Sequence, residues 1–245
     1  MSINTESPAT LVVAVIGESG AGKTAISAAL VNLNSELYVQ CRQVTTRDRR
    51  EGESDDHYDF IDNEHYDFIK DGLVACTSIH KVGEVGITNY GTRFENDPSL
   101  IHLVVVNELG LTNLKRDLFE NDRNSNCHLM VLGITRNGTN DAPETYIQRH
   151  GRSEEYVQNE IKWVVGYTKD ESAPREMNTA LIQNSFQTSI EEHAVMAHDI
   201  IMMVATGKPP AMIDTALNTE QYSPLSENTE DDGSEPLNTE AVNDR

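Results

Sequence analysis

Leu11-Val12-Val13-Ala14-Val15-Ile16-Gly17-Glu18-Ser19-Gly20-Ala21-Gly22-Lys23-Thr24 decides the fold of this chain. An apolar run leads into the pattern Gly-x-x-x-x-Gly-Lys-Thr, and Ala25-Ile26-Ser27-Ala28-Ala29-Leu30 follows with good helix formers and an apolar stripe. Strand, glycine-rich loop and helix, in that order, is the context a phosphate-binding loop requires. Glycines let the backbone bend so that successive N–H groups converge on one anion. A helix opening at Lys23 adds unpaired N–H groups and the positive end of its dipole. In this pattern the lysine reaches the outer phosphates of a nucleotide and the threonine hydroxyl ligates magnesium. Gly17, Glu18, Ser19, Gly20, Ala21, Gly22, Lys23 and Thr24 are therefore the expected ATP site, with Thr24 as the Mg2+ ligand.

Working outward, strand-like runs occur at 11–16, 36–41, 73–77, 101–106, 129–134 and 180–183. Helical patterns occur at 23–33, 63–71, 110–120, 142–150, 153–170 and 188–206. Such alternation predicts an α/β fold with a mostly parallel sheet covered by helices, and with the loop pattern above it resembles the three-layer sandwich of P-loop NTPases. Leu103-Val104-Val105-Val106 is continuously apolar, as a strand buried on both faces should be. The loop then sits at the carboxyl end of the first strand, where open α/β sheets bind ligands.

The chain has 245 residues and a formal charge of −21, which argues against nucleic acid or an anionic membrane surface as a partner. A nucleotide substrate remains compatible, because a few arginines and main-chain amides make a local positive pocket in an acidic protein. Cys41, Cys76 and Cys127 are widely spaced without a CxxC, as expected of reduced thiols in a cytoplasmic protein. The first residues lack the basic and apolar regions of a signal peptide, and no apolar run approaches a membrane span. Residues 1–9 read as an N-terminal extension. From Ala211 to Arg245 there are nine acids and one base, and Leu-Asn-Thr-Glu occurs at 217–220 and again at 237–240. This predicts a disordered acidic tail over 208–245, either solvating or protein-binding.

A second constellation follows the second strand: Thr45-Thr46-Arg47-Asp48-Arg49-Arg50-Glu51-Gly52-Glu53, then Tyr58-Asp59-Phe60-Ile61. Arginine makes two parallel bonds to phosphate or carboxylate. Arg47 and Arg50 are spaced to converge on one phosphate, and equally the run reads as a solvated loop paired with Glu51, Glu53 and Asp55.

Thr-Thr-Arg-x-x-Arg-x-Gly-Glu, Tyr-x-Phe-Ile, a helix and then Asn89-Tyr90-Gly91-Thr92, together with the phosphate loop, resemble guanylate kinase. The similarity runs from about residue 10 to about residue 205 and is densest in the first 95. The resemblance implies a domain over 10–207, with a small region for a nucleoside monophosphate at about 42–95 and a lid at about 136–155. It implies an ATP-dependent nucleoside or deoxynucleoside monophosphate kinase, with Arg47, Arg50, Tyr58 and Tyr90 on the acceptor's phosphate and Thr92 nearby. Arg136, Arg149 and Arg152 would close from the lid, although the last two also read as helix-surface charges, and Asn184 would lie near the adenine. Lys23, Arg47, Arg136, Arg149 and Arg152 are thus the expected catalytic groups.

The departures bear on substrate. Gln43 and Val44 stand where the family carries a guanine-contacting serine, and Cys76 or Thr77 where it carries a glutamate. The family's paired aspartates become Val105 and Asn107, and Glu160 falls where a further arginine is expected. Gln43, Cys76, Thr77 and Asn107 are accordingly candidates for reading the base. A kinase of a phosphorylated sugar and a guanylate-kinase-like interaction module without activity are the alternatives.

Overall fold

The computed structural model describes residues 9–49, 53, 55–80, 86–120, 126–136, 154–169, 178–184 and 188–207. Its centre is strand β1 (Thr10–Gly17), whose residues Val12 to Ile16 are completely buried. Helix α1 (Lys23–Leu33) follows, then β2 (Tyr38–Gln40), β3 (Gln43–Thr45) and β4 (Tyr58–Phe60). Next come α2 (Asn63–Ile69), β5 (Leu73–His80), β6 (Ile87–Arg93), β7 (Ile101–Val105) and α3 (Glu108–Phe119). The rest is β8 (Cys127–Thr135), α4 (Glu154–Lys169), β9 (Asn178–Gln183) and α5 (Ile190–Ala205).

Five parallel strands form the main sheet in the order β2-β7-β1-β8-β9. Side-chain alternation along β1 sorts its residues into two cores. Val13 and Val15 pack with Ile26 and Leu30 of α1 and Ala197 and Ile201 of α5. Val12, Ala14 and Ile16 pack with Leu111, Leu114 and Leu118 of α3 and Val164 of α4. The result is helices on both faces of a parallel sheet, the expected α/β sandwich.

A second, four-stranded sheet has the order β4-β3-β6-β5, with β3–β4 parallel and the other pairings antiparallel. Only β5 of these strands is read from the sequence. β5 breaks register between Val74 and Thr77, and Ala75 there takes a positive φ of 55°. Helix α3 braces the irregularity: Ala75 N donates to Asp117 Oδ2 at 2.9 Å, and Asn113 Nδ2 donates to Cys76 O at 2.6 Å. Residues 1–8 of the expected extension 1–9, the expected helix at 142–150 and the tail 208–245 lie outside the described residues. No described helix is long and apolar enough to cross a membrane.

Candidate functional site

Because the five strands of the main sheet are parallel, their carboxyl ends share one rim. The phosphate loop leaves β1 there, Arg136 follows β8, Asn184 follows β9 and Asn107 follows β7. Register places Gly17 opposite Ile134, so the loop begins hard against β8. A Cβ on Gly17 would lie 2.2 Å from the Ile134 carbonyl oxygen. Gly22, the residue before α1, has φ +96°, and a Cβ there would meet Asn184 Nδ2 at 2.3 Å. Both positions need glycine, for close approach and for left-handed backbone respectively.

Asn184 reports on the loop in another way. Its side chain is buried, with Nδ2 donating to Ala21 O at 2.6 Å. Its own N–H donates to Thr135 O at 2.7 Å. The expected adenine neighbour is therefore a clasp that fixes the loop's backbone. Ala21 N is engaged too, donating to Glu18 O at 3.1 Å, so this amide of the expected cradle closes the turn itself.

Lys23 turns its ammonium back over the loop, with Nζ donating to Gly17 O at 2.8 Å and Glu18 O at 2.9 Å. Burial pushes its pKa down, against the attraction of Glu160 and Glu18. Thr24 lies beside it in the first turn of α1, half-buried. Ser19 N donates to Glu160 Oε2 at 2.8 Å. Glu160 belongs to the inward stripe of α4, one turn from buried Val157 and buried Val164. Sequence comparison marks this position only as a missing arginine; the helical spacing 157, 160, 164 carries the signal that the carboxylate faces inward.

Glu18 is 1% exposed, and its Oε1 accepts from Arg136 N at 2.6 Å. It thus supports the segment after β8 rather than facing solvent. Burial raises its pKa, opposed by the Arg136 N–H and the charge on Lys23. A folded carboxyl that holds its proton more tightly than the unfolded one costs stability when ionised, and that cost fades as pH falls through the folded value to the ordinary 4.5. Glu18→Gln keeps an acceptor for Arg136 N and removes the buried charge. It is expected to melt at or above the wild-type temperature at neutral pH, with the difference closing on acidification. A scan of melting temperature against pH checks this; a Gln variant that melts well below wild type at neutral pH would refute it.

The smaller sheet gathers the second set of residues. Gln43 Nε2 donates to Val105 O, the last carbonyl of β7, which pairs with Val15 of β1. This bond docks β3 on the rim that carries the phosphate loop. Arg47 follows β3, and its guanidinium lies 4.9 Å from the Tyr58 ring centre and 5.0 Å from that of Phe60. Its nitrogens bind Glu53 in a two-pronged ion pair, with Nη1 to Oε2 at 2.7 Å, and the side chain is 7% exposed. That pairing raises the pKa of Arg47. Tyr58 is shifted up by burial, with Arg47 opposing and Tyr90 as a further neighbour. Arg49 pairs with Asp55. The carboxylate-paired reading of the arginine run is thus the one the described residues display, while Arg50 lies outside them.

Among the base-reading candidates, Thr77 is buried and Cys76 half-buried, while Thr92, expected near the acceptor phosphate, is buried opposite Gln43 across β3–β6. Asn107 caps α3, its Oδ1 accepting from Gly110 N at 2.8 Å, so its side chain has a local structural task. Of the lid arginines, Arg136 enters the rim directly after β8, while Arg149 and Arg152 lie outside the described residues. The structure therefore brings Lys23, Thr24, Glu18, Arg136 and Asn184 together at one loop, and Arg47, Tyr58 and Tyr90 together on the small sheet beside it.

No known family profile matches the chain, and no curated protein matches it. Among solved structures, the fold is similar to the crystal structure of guanylate kinase from Anaplasma phagocytophilum, at 16% sequence identity and a TM-score of 0.46, over 83% of this chain and 90% of that one.

Proposed function

We propose that the protein is an ATP-dependent nucleoside or deoxynucleoside monophosphate kinase. One observation carries the reading: the Gln43–Val105 bond docks the arginine-bearing sheet on the rim where the phosphate loop and Lys23 sit. Anion-binding groups of two kinds then share one end of the sheet, which is what transfer between two phosphates requires.

The residues present fit the nucleotide and its cation. The backbone at Gly17 and at Gly22 approaches its neighbours too closely for a side chain, the helix N-terminus at Lys23 presents amides, and the Thr24 hydroxyl would hold Mg2+. Bound ATP supplies the γ-phosphoryl group: its phosphorus gains a bond to an acceptor phosphate oxygen as the bond to the ADP oxygen breaks, and ADP leaves with that electron pair. The acceptor phosphate is a nucleophile at neutral pH, so no general base is assigned. Lys23 neutralises charge on the transferring group. Arg47 and Arg50 hold the acceptor phosphate, with Tyr58 and Tyr90 beside it, and Arg136, Arg149 and Arg152 close over the donor. Guanine specificity is not part of the proposal, because the Gln43 amide and the Asn107 carbonyl already bind backbone.

A second reading, an interaction module of the same architecture without catalysis, is favoured by two specific observations. Arg47 is paired with Glu53, and the loop amide of Ser19 is occupied by Glu160. Incubation with ATP, Mg2+ and a panel of ribo- and deoxynucleoside monophosphates, with ribose phosphates included, separates the readings. ADP formed in step with a nucleoside diphosphate supports the kinase. No ADP with any acceptor, together with a melting temperature that ATP leaves unchanged, supports the module.

A further inference from the structure

The phosphate loop already holds an anion, and the anion is part of the chain. Glu160 Oε2 accepts from Ser19 N at 2.8 Å, within the loop and one residue before the amides at 20–24. The carboxylate is also the stronger of the two attractions acting on the Lys23 ammonium. Its position on α4 is not incidental: Val157 and Val164, one turn to either side, are both buried, Val164 against the sheet, so the helix aims residue 160 inward. A lone carboxylate on an inward stripe is costly unless it is hydrogen-bonded and faces positive charge, and the loop supplies both.

We infer that Glu160 is an internal competitor for the phosphate loop, a residue that sets the loop's affinity for nucleotide because it must withdraw before a nucleotide phosphate can enter. The inference rests on the reading of the loop as an ATP site. Two like charges cannot share one amide, so a phosphate oxygen at Ser19 N and the Glu160 carboxylate exclude one another. In the free protein the carboxylate satisfies the Ser19 amide and offsets the Lys23 charge. In the bound protein the incoming phosphates take over both tasks. Glu160 therefore stabilises the empty loop and weakens binding by the same contact. A polyphosphate that also engages the α1 amides displaces it, whereas a single small anion limited to the Ser19 amide gains nothing over the carboxylate.

The test titrates magnesium–ATP calorimetrically into the full chain, as wild type, Glu160→Gln and Glu160→Ala, with melting temperatures of the ligand-free proteins measured in parallel. Gln removes the charge and retains an acceptor; Ala removes both. The expected result is a dissociation constant about tenfold lower in each variant than in wild type, with ligand-free melting lowest in Ala and a larger ATP-induced rise in both. Equal affinity in wild type and variants overturns the inference and leaves the ATP site standing. Weaker binding in the variants also overturns it, because the carboxylate would then be helping to hold the nucleotide. No binding by any of the three proteins overturns both the inference and the ATP reading. If one variant fails to fold, the other is judged by the same outcomes, and collapse of both overturns the inference in favour of a structural role.

Discussion

On the proposed kinase reading, Lys23→Ala is expected to lower the rate of ADP formation at saturating ATP and acceptor by about 100-fold or more, the loss typical of removing one preorganised contact to charge that develops in a transition state. The side chain is held ready for that task. Its Nζ donates to Gly17 O and Glu18 O, which fix the ammonium over the loop. Burial lowers its pKa, and on the proposed reading a half-buried ammonium would meet a phosphate with less screening than one in bulk water. An ammonium carries three donors, and two are directed at carbonyls, so the geometry suits a third bond to an incoming oxygen. Arginine is not expected to rescue the loss, because its planar fork does not replace a compact ammonium between two carbonyls. Steady-state rates of Lys23→Ala and Lys23→Arg check this, with circular dichroism to show that both fold. Turnover of Lys23→Ala within a few-fold of wild type would remove Lys23 from the chemistry.

Gly17→Ala destabilises the protein by about 3 kcal/mol, near the upper end for overpacking a well-filled site. The added methyl would lie 2.2 Å from the carbonyl oxygen of Ile134. That oxygen cannot swing aside, because β8 is paired along its length with β1, and Gly17 itself is in register with Ile134. In a chain of this size the loss corresponds to a fall in melting temperature of about 6–12 °C. Gly72→Ala is the control: a Cβ there meets nothing within 4 Å, so its melting should stay close to wild type. Equal melting of the two variants would mean that the loop and β8 are not held as tightly as their register indicates.

The main sheet was legible because its strands announce themselves. β1, β7 and β8 are each built on an apolar run of four to six residues, and each is read to within two residues at either end. Helix boundaries shifted for local reasons. α3 begins at Glu108 because Asn107 caps it, and α2 ends at Ile69 because a 3₁₀ turn covers Lys70–Gly72. The small sheet was mostly illegible. β3 and β4 have three residues each, too few for any period to stand out, and β6 reads Ile-Thr-Asn-Tyr-Gly-Thr-Arg, which carries little apolar signal. These strands form because their partners are present. Thr46 N–H, for example, finds Asn89 O, and Thr45 O finds Ile61 N–H, only after the chain has folded back.

The site divides in the same way. The loop residues were legible from spacing, and Arg47, Tyr58 and Tyr90 from a motif. The partners of those residues were not. Asn184 meets Ala21 across 163 positions of sequence, and Glu160 meets Ser19 across 141. Nothing local in either stretch names the other. Arg47 could have been aimed at a ligand or at its neighbours, and only the coordinates select Glu53.

The Asn184 clasp has a thermal consequence. It anchors the glycine-rich loop to the end of β9, an edge strand of the main sheet among the described residues. Peripheral strands open at lower free energy than central ones. On warming, the tether loosens while β1 and β7 are still firmly seated, and the loop loses its shape ahead of the body of the protein. The heat tolerance of whatever chemistry the loop performs is thus governed by the margin of the sheet and not by its middle.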